Sequence, residues 1–322
     1  MPVPDLRNPF GIDTVRNVRV LITGASGLLG RYLVEAADSK IELHAQVRAP
    51  FNQIFNRAVH THDLKFVDFD HLEAAIDAIR PHAIVHTAAE GGVDVVEGNV
   101  KDYKRINVEV PVRLAEYSSS KSIQFVHISS NAVYGNVSTE LSERSRQDPV
   151  NDYGKLKKIA EIAVREVNRD ALIVRPLLMY GWQQPDRRPN PASNWINALS
   201  SGRPIRVVTD IWTQPLSAID CARVVWSGLD LGLTGSVNVS GGELVTLYEF
   251  AQQVAQVFGL DADLIQECKI SDFEMLAPRP SHTEFNLTRM KSEFGISPMT
   301  LKEGLLWMRE ARIHSESSGA SV

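Results

Sequence analysis

The 322-residue chain is short of cysteine and aromatic residues and has no large excess of charge of either sign. Its two cysteines, Cys221 and Cys268, are too few for a disulfide framework and have no partners at metal-ligand spacing. "HTHD" at 60–63 offers two histidines without a third ligand in sight, so no metal is expected. The 34 basic residues against 39 acidic ones give a net charge of −5, without the positive excess that gripping a phosphate backbone requires. Nucleic acid is therefore not an expected partner. No apolar run approaches the roughly 20 residues that span a bilayer, and the opening "MPVPDLRNPFGID" has no apolar signal core. The expectation is a cytoplasmic protein outside the membrane. Hydrophobic residues make up 43% and charged residues 23% of the chain, the composition of an ordinary globular protein.

From residue 18 onward, short apolar runs alternate with amphipathic stretches. "VRVLIT", "IELHAQV", "LKFV", "AIVHT", "IQFVHIS" and "ALIVR" read as buried strands, whereas "LLGRYLVEAA", "DHLEAAIDAI" and "EIAVREV" have helical spacing. Such alternation predicts an α/β fold, a doubly wound parallel sheet covered by helices on both faces. The rhythm breaks after residue 176 at "QQPDRRPNPASNW", which points to a smaller carboxy-terminal lobe. The expected division is an extension at 1–17, a mainly dinucleotide-binding part at 18–176, a mainly substrate-binding lobe at 177–312 with some segments returning to the sheet, and a polar disordered tail at 313–322.

"VLITGASGLLGRYL" sets Gly24, Gly27 and Gly30 between the first strand and the first helix. A side chain at Gly24 would obstruct the tight turn, one at Gly27 would hold the backbone off a pyrophosphate, and one at Gly30 would part helix from strand. The phosphates then meet the amino end of the helix, so Gly24, Ser26, Gly27, Leu28, Leu29 and Gly30 are candidate cofactor residues. The second strand leads into Arg48, where an NAD-selective site presents an acid to the ribose 2′-hydroxyl. An arginine suits a 2′-phosphate, so NADP(H) is expected in preference to NAD(H). Asp68 and Phe69 in "VDFD" are candidates for the adenine.

Two tyrosine–lysine pairs have a spacing of four, Tyr117 with Lys121 and Tyr153 with Lys157. Ligands of open parallel sheets bind beyond the carboxyl ends of the strands, and only Tyr153 begins the helix that follows the strand ending at Ser130. Tyr117 is the decoy. On a helical wheel Leu156, Ile159, Ala160, Ala163 and Val167 share an arc, with Tyr153 and Lys157 at its margin. Tyrosine titrates near 10, and a lysine charge about 5 Å away at an effective dielectric near 20 favours tyrosinate by roughly 3 kcal/mol. Ser130, Tyr153 and Lys157 are thus the candidate catalytic residues, Ser130 to hydrogen-bond a substrate oxygen, Tyr153 to protonate it, and Lys157 also to hold the nicotinamide ribose.

"TGASGLLG", "HTAAEGG", "ISSNAVYG", "YGKLK" and "VRPLLMYG" occur in the order seen in the extended short-chain dehydrogenase/reductase superfamily, which the chain resembles over roughly residues 18–310. "VDVVEGN" and "PRPSHTEFNLTRMKSEFGI" resemble its dTDP-4-dehydrorhamnose reductase branch. Leu178, Phe285, Asn286 and Arg289 depart from that branch's pattern. The resemblance implies a Rossmann domain, a nucleotide-sugar lobe, and Ser130, Tyr153 and Lys157 as the triad. It further implies Thr87, Ala88, Ala89, Asn107 and Pro176 about the cofactor. Glu90, Asn131 and Ala132 are candidates at the substrate. Trp182, Trp195 and Trp212 are candidate aromatic faces for a base, and Arg187, Arg188 and Arg279 candidate diphosphate ligands.

The expected function is NADPH-dependent reduction of a 4-keto-6-deoxy nucleotide sugar, with a homodimer as a candidate assembly. Two alternatives stand beside it: an NAD-dependent nucleotide-sugar epimerase or dehydratase, and a catalytically silent NADP-binding subunit, since the same branch includes the regulatory beta subunit of methionine adenosyltransferase.

Overall fold

Seven strands pair in parallel into one sheet. In chain order they are Val18–Thr23 (β1), Ile41–Gln46 (β2), His60–His62 (β3), Ala83–His86 (β4), Gln124–Ile128 (β5), Leu172–Pro176 (β6) and a closing strand Gly235–Val239. Across the sheet the order is closing strand, β6, β5, β4, β1, β2, β3. The order reverses beside β1, so the carboxyl ends of β1 and β4 flank the crevice where doubly wound sheets take their ligands. The computed structural model describes residues 18–47, 57–66, 68–137, 139–183, 189–274 and 277–317, with side chains described up to 311.

Helix Leu28–Ala36 (α1) and helix Ala218–Asp230 cover the face formed by Val20, Ile22, Leu43, Ala45 and Val85. Helices Phe69–Ile79 (α2), Val110–Ser120 and Asp152–Val167 cover the face formed by Leu21, Ile84 and Phe125. A separate cluster built on Tyr180, Trp182, Trp195, Phe250 and Leu305 joins helices Pro191–Ser200, Leu247–Phe258 and Leu301–Ser317. That last helix continues to Ser317, into the segment expected to be disordered.

The third strand differs from expectation. Residues 64–66 of "LKFV" form no strand, and β3 is the polar "HTH". β3 lies at the sheet edge, where a strand has one neighbour and little surface to bury. Stacking of the His44 ring on His60 and His62, at centroid distances of 4.9 and 5.2 Å, supports the pairing instead. Leu64 packs with Leu72 and Ile76 of α2.

The Asp152–Val167 helix also corrects an expectation. Tyr153 and Lys157 lie within its buried face, together with Leu156, Ala160, Glu161 and Val164, whereas Ile159 is 48% exposed. The face turns this way because Glu161 has a buried partner: Arg175 Nη2 donates to Glu161 Oε2 at 2.6 Å, with the two side chains 4% and 2% exposed. Arg175 Nη1 donates to the Tyr134 hydroxyl (2.7 Å), and that hydroxyl donates to Asn238 Oδ1 (2.8 Å). Removing one partner leaves a charge buried and uncompensated. Glu161→Leu should therefore lower the unfolding free energy by about 3 to 5 kcal/mol in urea titrations. A loss under about 1 kcal/mol, the scale of a surface pair, would contradict the reading.

Candidate active site

Gly24 turns the chain out of β1 with a φ of 68°. A Cβ there would lie 2.7 Å from Ala88 N and 2.8 Å from Thr87 Oγ1, and one at Gly30 would lie 2.5 Å from Gly24 O. Both positions thus require glycine for packing within the protein. At Gly27 a Cβ would meet only Gly24 O, at 3.2 Å, which leaves the outer side of the turn open. No side chain caps α1. A concave turn, a helix amino end without a side-chain cap and an open face at Gly27 fit a dinucleotide pyrophosphate. Ser26 and Leu29 are buried in the turn, and Leu28 packs against the core. Thr87 Oγ1 donates to Thr23 O at 2.7 Å, which holds the β1 and β4 ends together.

The other cofactor candidates make contacts within the protein or take other places in the fold. Asp68 caps α2 by accepting from His71 N (3.0 Å), and Phe69 lies under the Arg105 guanidinium at 4.7 Å. Asn107 is buried and clamps the Glu90 backbone, accepting from Glu90 N (3.0 Å) and donating to Glu90 O (3.2 Å). Ala89 is exposed, and Pro176 is buried beside Val239. Arg48, Arg187 and Arg188 lie outside the described residues. Gln46 escaped the sequence reading: its Oε1 accepts from Gly24 N at 2.9 Å and fixes the turn.

Ser130 starts a single 3-10 turn, Asn131–Val133, and its Oγ accepts from Ala132 N at 3.1 Å. The Tyr153 helix comes up against this turn. A Cβ at Gly154 would lie 2.1 Å from Ala132 O, so the glycine in "YGKLK" is what lets the two approach. Asn151 caps the helix by accepting from Gly154 N at 2.8 Å. Lys157, 2% exposed, donates from Nζ to Ile128 O at 2.9 Å. Burial pushes the Lys157 ammonium down to about 8, with Glu161 opposing. Beside it the His86 and His127 rings stack at 5.8 Å. Burial, reinforced by the Lys157 charge, holds His86 at about 3 and His127 well below its ordinary range, so both are neutral. Tyr117 is buried against Leu114 and Phe125, and burial together with the Asp77 carboxylate pushes its phenol up.

A cavity of about 490 Å³ opens beside this helix end. Ser130, Asn131, Ala132, Tyr153, Trp195, Trp212 and Arg279 all line it. Asn151, Asn190, Asn194 and Thr283 join them, and Arg279 is the one charged residue among the described lining. The asparagines carry no motif by which sequence alone would single them out. Trp182 is a correction. It sits in the second core, where its Nε1 donates to Met308 O at 2.7 Å, and it does not line the cavity. Glu90 is likewise absent from the lining, and its carboxylate accepts from Gly92 N at 2.8 Å. Among the described residues no group of three potential ligands is arranged to hold a metal, and no helix is long and apolar enough to cross a membrane.

The model of the RmlD substrate binding domain family matches residues 18–311. The chain is similar to the probable low-salt glycan biosynthesis reductase Agl14 of Haloferax volcanii, 28% identical over 292 residues that cover 90% of this chain and 97% of the relative. It is 29% identical over 300 residues to methionine adenosyltransferase 2 subunit beta of Bos taurus, covering 89% of this chain and 85% of that one. Among solved structures, dTDP-4-dehydrorhamnose reductase from Bacillus anthracis in complex with NADP has a TM-score of 0.80 at 24% identity, covering 92% of this chain and all of that one.

The lowered value of Lys157 has a signed consequence. In an unfolded chain lysine titrates near 10.4. Below about pH 8 both states keep the proton, and the folded state bears the full cost of a buried ammonium. Between about pH 8 and about 10.4 the folded state releases its proton first, so its stability rises with pH. Wild type should gain up to about 3 kcal/mol relative to Lys157→Met over that window in urea unfolding. A flat difference between the two proteins would show an ordinary lysine.

Proposed function

The chain belongs to the RmlD substrate binding domain family, and on that footing we propose that it is an NADPH-dependent reductase of a 4-keto-6-deoxy nucleotide sugar, with a dTDP-linked sugar as the substrate to try first. It is an oxidoreductase of the NAD(P)-dependent, nucleotide-sugar class. The observation that carries the reading is that Ser130, Tyr153 and Arg279 face one cavity at the helix end that Lys157 follows by a turn.

A dinucleotide held at the glycine turn would supply the hydride for the ketone carbon. Ser130 donates a hydrogen bond to the ketone oxygen, and Tyr153 gives its phenolic proton to that oxygen as charge develops there. The Lys157 ammonium favours the tyrosinate left behind. Asn131 and Ala132 border the sugar, Trp195 and Trp212 offer faces to the base, and Arg279 takes the diphosphate. Gly24, Ser26, Gly27, Leu28, Leu29 and Gly30 would hold the pyrophosphate, and Thr87, Ala88, Ala89, Asn107 and Pro176 would border the rest of the dinucleotide. Arg48 is assigned to the 2′-phosphate.

A second reading has one observation in its favour. The likeness to methionine adenosyltransferase 2 subunit beta supports a regulatory subunit that binds NADP without turnover. Mixing the protein with NADPH and dTDP-4-dehydrorhamnose separates the two. The reductase consumes cofactor one-to-one with reduced sugar, whereas NADPH binding with no oxidation across a panel of keto-sugar nucleotides would sink the reductase reading.

Two sets of variants extend the test. Tyr153→Phe should cost on the order of a hundredfold or more in turnover at unchanged NADPH affinity, and Tyr117→Phe should alter neither. An inactive Tyr117→Phe with an active Tyr153→Phe would reverse the assignment. Arg48→Asp should weaken NADPH roughly ten- to a hundredfold relative to NADH, and an unchanged ratio would remove Arg48 from the site.

A further inference from the structure

Three segments meet at one edge of the cavity, each tied to the other two. The first is the amino end of the Tyr153 helix, where Asn151 Nδ2 donates to Pro278 O at 3.0 Å. The second is the turn containing Val93–Val96. Its Glu97 Oε2 accepts from Asp152 N (2.9 Å), and its Gly98 N donates to Asp152 Oδ2 (3.1 Å). The third is the strap 277–283. Asp94 binds it back to the turn, with Oδ1 accepting from Arg279 Nη1 (3.0 Å) and Ala277 N (3.2 Å), and Oδ2 accepting from Arg279 Nη2 (2.6 Å). Arg279 faces the cavity, and Asp94 is not among the lining residues.

We propose that Asp94 is the positioning residue of the anion subsite: it fixes one edge of the Arg279 guanidinium so that another edge meets the substrate diphosphate at a set distance from Tyr153. The proposal rests on the nucleotide-sugar reading above and gives a role to one residue of the "VDVVEGN" stretch.

Asp94 also carries a negative charge toward an anionic ligand, so two effects of opposite sign compete. Without Asp94 the Arg279 side chain still donates from Nη1 to Ala277 O (2.9 Å), and ordering the rest of it on binding costs about fivefold to tenfold in affinity. A carboxylate about 7 Å from a phosphate costs roughly threefold when the gap is water-like. The Asp94 side chain is 44% exposed and that of Arg279 is 29% exposed, so solvent screens that repulsion. In this proposal ordering outweighs the screened repulsion and the carboxylate helps the anion to bind, a sign that the titration reads directly.

Calorimetric titration of dTDP into the NADPH-loaded protein tests this. Arg279→Ala should weaken dTDP roughly ten- to a hundredfold, and Asp94→Ala about fivefold. NADPH affinity and the melting temperature should stay near wild type, and Asp94→Glu should recover part of the loss. In the Arg279→Ala background, Asp94→Ala should cost nothing further, because its effect runs through Arg279. Tighter dTDP binding by Asp94→Ala would mean that the carboxylate competes with the diphosphate, and the proposal fails. It fails equally if the Asp94→Ala loss persists without Arg279, or if wild type binds no dTDP. Turnover plays no part in the titration. A protein that binds dTDP in this pattern yet oxidises no NADPH would sink the reductase reading and leave Asp94 in its role.

Discussion

The buried ion pair between Arg175 and Glu161 holds the site together. Arg175 is the penultimate residue of β6, and Glu161 lies in the middle of the helix that carries Tyr153 and Lys157. Their fork of hydrogen bonds fixes that helix in rotation, and a rotation of one residue would turn Tyr153 away from the cavity. The same guanidinium reaches the Tyr134 hydroxyl just past the Ser130 turn. One polar clamp therefore aligns both segments that supply the proposed proton-transfer residues. Glu161 has a second effect one turn earlier, where its charge opposes the burial that depresses Lys157. The clamp is thus mechanical at Tyr153 and electrostatic at Lys157.

Charge around the site is sparse. Behind the cavity His86 and His127 are neutral, so Lys157 faces no second buried cation there. In front, asparagines, threonines and tryptophans line a wall with Arg279 as its one charged member among the described residues. Such a wall suits a polar ligand with an aromatic part and leaves a single electrostatic anchor for an anion.

Local chemistry was legible in the sequence wherever it had a covalent or steric signature. The glycines at 24 and 30 are dictated by contacts that any side chain would violate, and the quoted strands 18–23, 83–86 and 124–128 emerge nearly as read. What failed was long-range. The polar "HTH" makes an edge strand because of its neighbour β2, and no apolar pattern announces that. Trp182 looked like a ligand face by residue type, yet a carbonyl 126 residues away takes its N–H. The helical wheel set Tyr153 and Lys157 at a margin because its arc ran through apolar residues alone, and the buried partner of Glu161 on β6 reverses that. Asp94 and Asn151 act through strap residues more than 120 positions distant, beyond any local pattern.

The two tyrosine–lysine pairs show why spacing alone cannot define a site. Tyr117 and Lys121 do interact, the ammonium lying 5.4 Å from the ring centroid, so a local criterion would accept them. Their helix, however, runs into the beginning of β5, and Tyr117 packs against Phe125 on the covered face of the sheet. Tyr153 starts the helix reached after β5 has ended, on the side where a parallel sheet opens its crevice. Burial pushes the Tyr117 phenol up, with the Asp77 carboxylate adding to it, so its anion is disfavoured. The polarity of one strand thus decides which of two identical spacings borders the cavity.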